Sequence, residues 1–194
     1  MSEQKPVFHN QLSKNFIILV GLIIGGWFLY YSFAPSAHIV QLAGLKEDGI
    51  FEGNGFRIRP PLGWAIGNAE ALRVAAIFIN PVEDRSKEKI FRSNISVVSE
   101  PVEQGLDEYV RTNKEILERS AKSYRSTEYQ KTTVNGRAGY TIGGVFSQDG
   151  EQLRNRQLIV VAGGIAYIVT GTALDAAWSK YVKQINATLA SFDL

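Results

Sequence analysis

Phe16 to Ala34 reads FIILVGLIIGGWFLYYSFA, a run without a single charged residue. As a helix it would extend roughly 28 Å at ~1.5 Å per residue, close to the hydrocarbon thickness of a bilayer. A helix buried in a soluble core would keep a polar face, and none interrupts this run. Trp27, Tyr30 and Tyr31 fall in its C-terminal half, where an aromatic belt meets the headgroups. Lys5 and Lys14 precede it against a single Glu3, which by the positive-inside rule places the N-terminus in the cytoplasm. A cleaved signal peptide would have a shorter apolar stretch, about 7–15 residues, and a small-x-small site. Pro35 disrupts the site after Ala34. The segment is therefore expected to stay as an uncleaved, single-pass anchor in the inner (cytoplasmic) membrane. Gly21 and Gly25 make a GxxxG spacing, joined by Gly26, on which a second membrane helix could pack closely.

These readings divide the chain into a cytoplasmic tail (1–15), a membrane helix (16–34), a linker (35–52) and an extracytoplasmic domain (53–194). The domain alternates strand-like and helix-like patterns. Phe56-Arg57-Ile58-Arg59 alternates with period two until Pro60-Pro61 breaks it. Leu62 to Ile66 reads as a turn into a short strand, 72–80 as a buried strand, 81–92 as an exposed loop, and 94–99 as a strand ended by Pro101. Gly105 to Tyr124 reads as an amphipathic helix with Leu106, Tyr109, Val110, Ile116, Leu117, Ala121 and Tyr124 on one stripe.

Strands at 128–134, 137–146, 151–162 and 165–172 follow. Asn135-Gly136, Gln148-Asp149-Gly150 and Gly163-Gly164 separate them; Asn-Gly is a strong hairpin signal, because a type I′ turn needs positive φ at both central residues. Four strands joined by short turns form an antiparallel meander. A second amphipathic helix closes the chain, about 174–191, with Thr172 and Asp175 spaced as a capping box. The fold class is α+β: one twisted antiparallel sheet of about six or seven strands with helices packed on it.

The residue inventory narrows the chemistry. Cysteine is absent, which excludes disulfides, thiolate metal sites and cysteine nucleophiles. His9 and His38 are the two histidines, and both precede the domain, leaving no usual base for a Ser-His-Asp triad and no histidine pair for zinc. The adjacent acids Glu47-Asp48, Glu83-Asp84 and Asp107-Glu108 point apart on strand or helix. Gly143-Gly144 and Gly163-Gly164 fit close packing and turns, not a phosphate-binding loop. Neither a cofactor, a metal nor enzymatic activity is expected. A formal charge of +2 offers no footprint for nucleic acid. The most suggestive surface feature is the loop PVEDRSKEKIFR, whose Arg85, Lys87, Lys89 and Arg92 form a candidate partner surface. Arg154 and Arg156 alternate on one strand face and are expected to be exposed; Trp64 and Trp178 are expected in the core.

Three patterns carry a family resemblance: Phe56-Arg57-Ile58-Arg59-Pro60-Pro61-Leu62-Gly63-Trp64; Val134-Asn135-Gly136-Arg137-Ala138-Gly139-Tyr140; and 166–173 (AYIVTGTA) followed by the helix ending Leu189-Ala190-Ser191-Phe192. In this order the chain, from about residue 50 to 194, resembles the PsbP-like superfamily. That superfamily includes extrinsic PsbP proteins of photosystem II, membrane- or lipid-anchored bacterial relatives, and a nuclear-import factor that binds the GTPase Ran. The resemblance implies an α/β sandwich that binds other proteins or assists assembly. The chain departs from the plant-type pattern where a membrane helix replaces the flexible N-terminal segment. The expectation is a non-catalytic accessory subunit, with an integral membrane protein complex and the lipid bilayer as partners, and possible photosynthetic association; the alternative is an envelope module holding a small apolar molecule or envelope component.

Overall fold

The computed structural model describes residues 45–46, 48–86 and 89–194. The membrane segment with Gly21 and Gly25, the tail, most of the linker, and Lys87 lie outside the described residues.

The regular elements are β1 (Phe51–Gly53), β2 (Phe56–Ile58), β3 (Ala65–Ile66), α1 (Ala69–Leu72), β4 (Ala76–Ile79), β5 (Asp84–Ser86), β6 (Lys89–Phe91), β7 (Asn94–Pro101), α2 (Leu106–Ser120), β8 (Arg125–Val134), β9 (Arg137–Gln148), β10 (Glu151–Ala162), β11 (Ile165–Leu174), a 3₁₀ turn (Asp175–Ala177) and α3 (Trp178–Ala190). Seven strands form one sheet in the order β3-β4-β7-β11-β10-β9-β8, antiparallel throughout. After β7 the chain crosses one face of the sheet as α2 and re-enters at the far edge as β8. The meander then steps back strand by strand until β11 lies beside β7.

Its turns explain that regularity. Asn135 and Gly136 (φ 47° and 78°), Asp149 and Gly150 (49° and 86°), and Gly163 and Gly164 (58° and 75°) all hold the left-handed backbone of a type I′ turn. That turn's twist matches the twist of the strands it joins.

Both faces of the sheet are covered. On one, α2 sets Tyr109, Val110 and Leu117 on Val98, Tyr140, Ile142, Ile159 and Ile168. On the other, α3 and the β1-β2 hairpin bury Phe56, Ile58, Phe78, Val169, Ile185, Leu189 and Phe192 together. The helix sits tightly on β11: a Cβ at Gly171 would come within 2.4 Å of Ile185. Trp64 is buried here against Tyr181.

Several sequence expectations are corrected. The region 72–80 is not one strand: Asn68 caps α1 through Ala71 N–H, Arg73 ends it in the left-handed region (φ 54°), and β4 begins after it. The loop 81–92 is a hairpin, β5-β6, that buries Asp84 and Phe91. Asp84 lies deep because Lys180 donates to it at 2.8 Å. Thr172 and Asp175 form no capping box: Thr172 belongs to β11, and Asp175 accepts from Arg154 Nε at 2.7 Å. Arg154 and Arg156 are half-buried in ion pairs with Asp175 and Glu128. Arg154 also lies over the Trp178 ring, which is half-buried. The helix expected to reach Tyr124 ends at Ser120, and Tyr124 instead covers Gly144.

Candidate binding site at the sheet edge

β8 ends the sheet; among the described residues it pairs only with β9. The two-residue turn at Asn135-Gly136 fixes which backbone groups point where. Val134 and Arg137 flank the turn and exchange hydrogen bonds, so alternate residues back along β8 (Thr132, Gln130, Glu128) also aim their N–H and C=O groups at β9. The intervening Tyr129, Lys131 and Thr133 aim theirs away from the sheet. A bulge between Ser126 and Glu128 ends this regular stretch.

Open edges are usually fenced by charges that repel an incoming strand. Here the charges fold over the two faces instead. Glu128 accepts from Arg156 at 2.6 Å on the α3 face, and Arg156 also donates to Asn186 on α3. On the α2 face, Asp107 accepts from Tyr140 Oη at 2.8 Å and from Lys131 Nζ at 3.1 Å. The hydrogen bond from Tyr140, then that from Lys131, holds the Asp107 carboxyl below the usual carboxylate range. The same contact to Asp107 raises Lys131 above an ordinary lysine. Both groups therefore stay charged near neutrality, as a fixed pair and not a proton-transfer couple. Lys131 also lies over the Tyr140 ring and Lys114 over the Tyr129 ring.

Beside this edge runs a cleft of about 250 Å³, lined chiefly by Thr132, Val134, Thr141, Arg156, Asn186 and Leu189. It exists because α3 packs chiefly on β10 and β11, while along the cleft β9 presents the small residues Gly139, Thr141 and Gly143 on that face. At Asn135 and Ala190 it adjoins a second cleft, about 260 Å³, around the Arg57–Asp193 ion pair.

The basic residues singled out from sequence are arranged differently. Arg85 is exposed on β5 opposite Ile90, and Lys89 lies in β6 opposite Ser86. Arg92 donates to Glu83 at 2.8 Å, so its charge is locally offset. No short motif marks the open edge in the sequence; its signal is that RSTEYQKTTV is polar on both faces, unlike the strands that follow it. Among the described residues no group of three or more His, Cys, Asp or Glu side chains could hold a metal ion, and no helix is long and apolar enough to cross a membrane.

The antiparallel seven-stranded sheet, with a crossover helix on one face and a C-terminal helix on the other, is an α+β fold of PsbP-like architecture. The fold is similar to that of cyanobacterial PsbP (CyanoP) from Synechocystis sp. PCC 6803, at 16% identity over 82% of this chain and 98% of that one, with a TM-score of 0.54. It is also similar to LpqN, involved in cell envelope biogenesis of Mycobacterium tuberculosis (10% identity, 71% and 81% covered, TM-score 0.54). A third similar structure is PA94 from Pseudomonas aeruginosa, a protein of unknown function (14% identity, 73% and 93% covered, TM-score 0.53). The DcrB family matches residues 77–191, more than half of the chain, and the chain belongs to that family. No protein with a curated description matches the sequence.

Proposed function

We propose that this protein is a non-catalytic accessory subunit, anchored by the 16–34 segment, whose domain binds a larger membrane protein complex on the extracytoplasmic side. The observation that carries this reading is the open edge of β8, with its charges drawn onto the faces. A site of this kind associates with another chain and transforms nothing. The uncharged 16–34 run supports the anchor, and Gly21 and Gly25 are the positions where the anchor would pack against a partner helix. Similarity to an envelope-biogenesis protein and to a PsbP fits the reading without fixing the partner.

Purification of tagged full-length protein in mild detergent, with mass spectrometry of what accompanies it, tests the proposal. A stoichiometric integral membrane protein is expected, its recovery reduced in a Gly21→Leu/Gly25→Leu double variant. A protein that purifies alone contradicts the proposal. A second reading then applies: an envelope ligand module using the cleft between α3 and β8, which native mass spectrometry would reveal as an adduct.

A further inference from the structure

We propose that β8 receives an extended polypeptide segment of the partner as an eighth strand of the sheet, with an aliphatic side chain seated in the cleft opposite Thr132. The inference rests on the protein-binding reading above and specifies its chemistry.

Three observations converge. The N–H and C=O groups of Tyr129, Lys131 and Thr133 face outward in register and bond to no described residue. Backbone groups repeating every second residue are matched by another extended backbone. Next, residues on the α3 face of β8, among them Arg125 and Thr132, pair with Val145 and Gly139 on β9. A residue docked opposite Thr132 would send its side chain to that same face, about 5 Å away. There it meets the cleft, whose apolar wall is Val134, Leu158 and Leu189. Finally, charge gives the segment an end-to-end preference. Glu128 and Lys131 are neutralised within the domain, whereas Arg125, at the start of β8, and Lys122, just before it, are exposed and ion-paired with no described residue. The segment that fits is extended, aliphatic where it passes Thr132, and acidic where it passes Arg125.

The test uses full-length, isotope-labelled protein in detergent and a capped synthetic peptide of alternating threonine and valine ending in two glutamates. Amide hydrogen exchange at Tyr129, Lys131 and Thr133 is expected to be fast in the free protein and to slow at least tenfold with saturating peptide, with Gln130 and Thr132 protected in both states. Thr133→Pro removes one outward donor at an edge position that tolerates proline, and is expected to weaken peptide binding at least tenfold. Thr132→Arg leaves the backbone intact and fills the cleft, so it decides the matter if the proline variant does not fold. Unchanged exchange at the three amides under saturating peptide, or wild-type binding by a folded variant, overturns the proposal. If these fail while the membrane complex still co-purifies, strand addition is wrong and the accessory-subunit reading stands.

Discussion

Between Arg125 and Leu174 the chain makes four strands of 10 to 12 residues joined by two-residue turns. Between Phe51 and Phe91 it makes six strands, none longer than four residues. In the meander each strand is placed by its neighbour in sequence, through a turn whose backbone only a few residue types accept. In the N-terminal part the strands also pair with close sequence neighbours, but the pairs are short and are fastened to the domain by distant residues. Arg57 is held by Asp193, Trp64 by Tyr181, and Asp84 by Lys180. The difference separates locally specified structure from structure specified by α3 and the residues after it, which arrive last. It also explains where the site lies: a regular meander must end somewhere, and β8 is its exposed end.

This contrast can be broken first at Phe78, fully buried in β4. Phe78→Ala is expected to cost about 3–5 kcal/mol in urea unfolding. Amide exchange should show protection lost in β3 and β4 before β9 to β11. Uniform loss would mean that the halves are not separable. A smaller effect, about 1–3 kcal/mol, is expected for Asp84→Ala, which removes the buried acceptor of Lys180. Because this contact spans the length of the domain, it should appear as faster unfolding with the refolding rate unchanged. Gly136→Ala is expected to cost about 1–2 kcal/mol, since its φ of 78° disfavours any side chain. Here the loss should appear mainly as slower refolding, the signature of a local nucleus. If both variants act on the same rate, the contrast between the halves is lost.

The mildest effects are those of pH. Burial, with Glu118 nearby, pushes the Tyr124 hydroxyl up to about 12 from 10.0. A raised value means that the folded state holds its proton more tightly than the unfolded chain. The stability it contributes is therefore complete below pH 10 and lost as pH rises through 12. Stability measured across that window should fall less steeply in Tyr124→Phe. At the acid end, Asp193 is held below 3.8 chiefly by the hydrogen bond from Arg57. Its contribution is present above that value and disappears as pH falls further. Arg57→Gln should flatten the acid arm, and an unchanged arm would remove the role given to this contact.

The same contrast decides what could be read from the sequence. The four meander strands were legible because turn chemistry and period-two alternation are local, and the two amphipathic helices because their stripes are. The hairpin β5-β6 was not, since its one deeply buried acid is stabilised by a lysine in α3. The half-buried Arg154 and Arg156 were missed for a related reason: their partners Asp175 and Glu128 lie on other elements. Thr172 and Asp175 have the spacing of a capping box, yet Arg154 on β10 takes the Asp175 carboxylate. The edge character of β8 depends on strand order, which no short motif encodes. Sequence therefore drew attention to the charged residues Arg85, Lys87, Lys89 and Arg92, while the structure offers a backbone edge as the binding surface.

The central claim, that the exposed end of the meander meets the partner, is tested most directly by photo-crosslinking in intact membranes. A photoreactive residue placed at Thr133 is compared with one at Leu62, which is almost fully exposed on the N-terminal part. The account predicts a discrete crosslink to an integral membrane protein from Thr133 and none from Leu62. A crosslink from Leu62, with Thr133 silent, would contradict it.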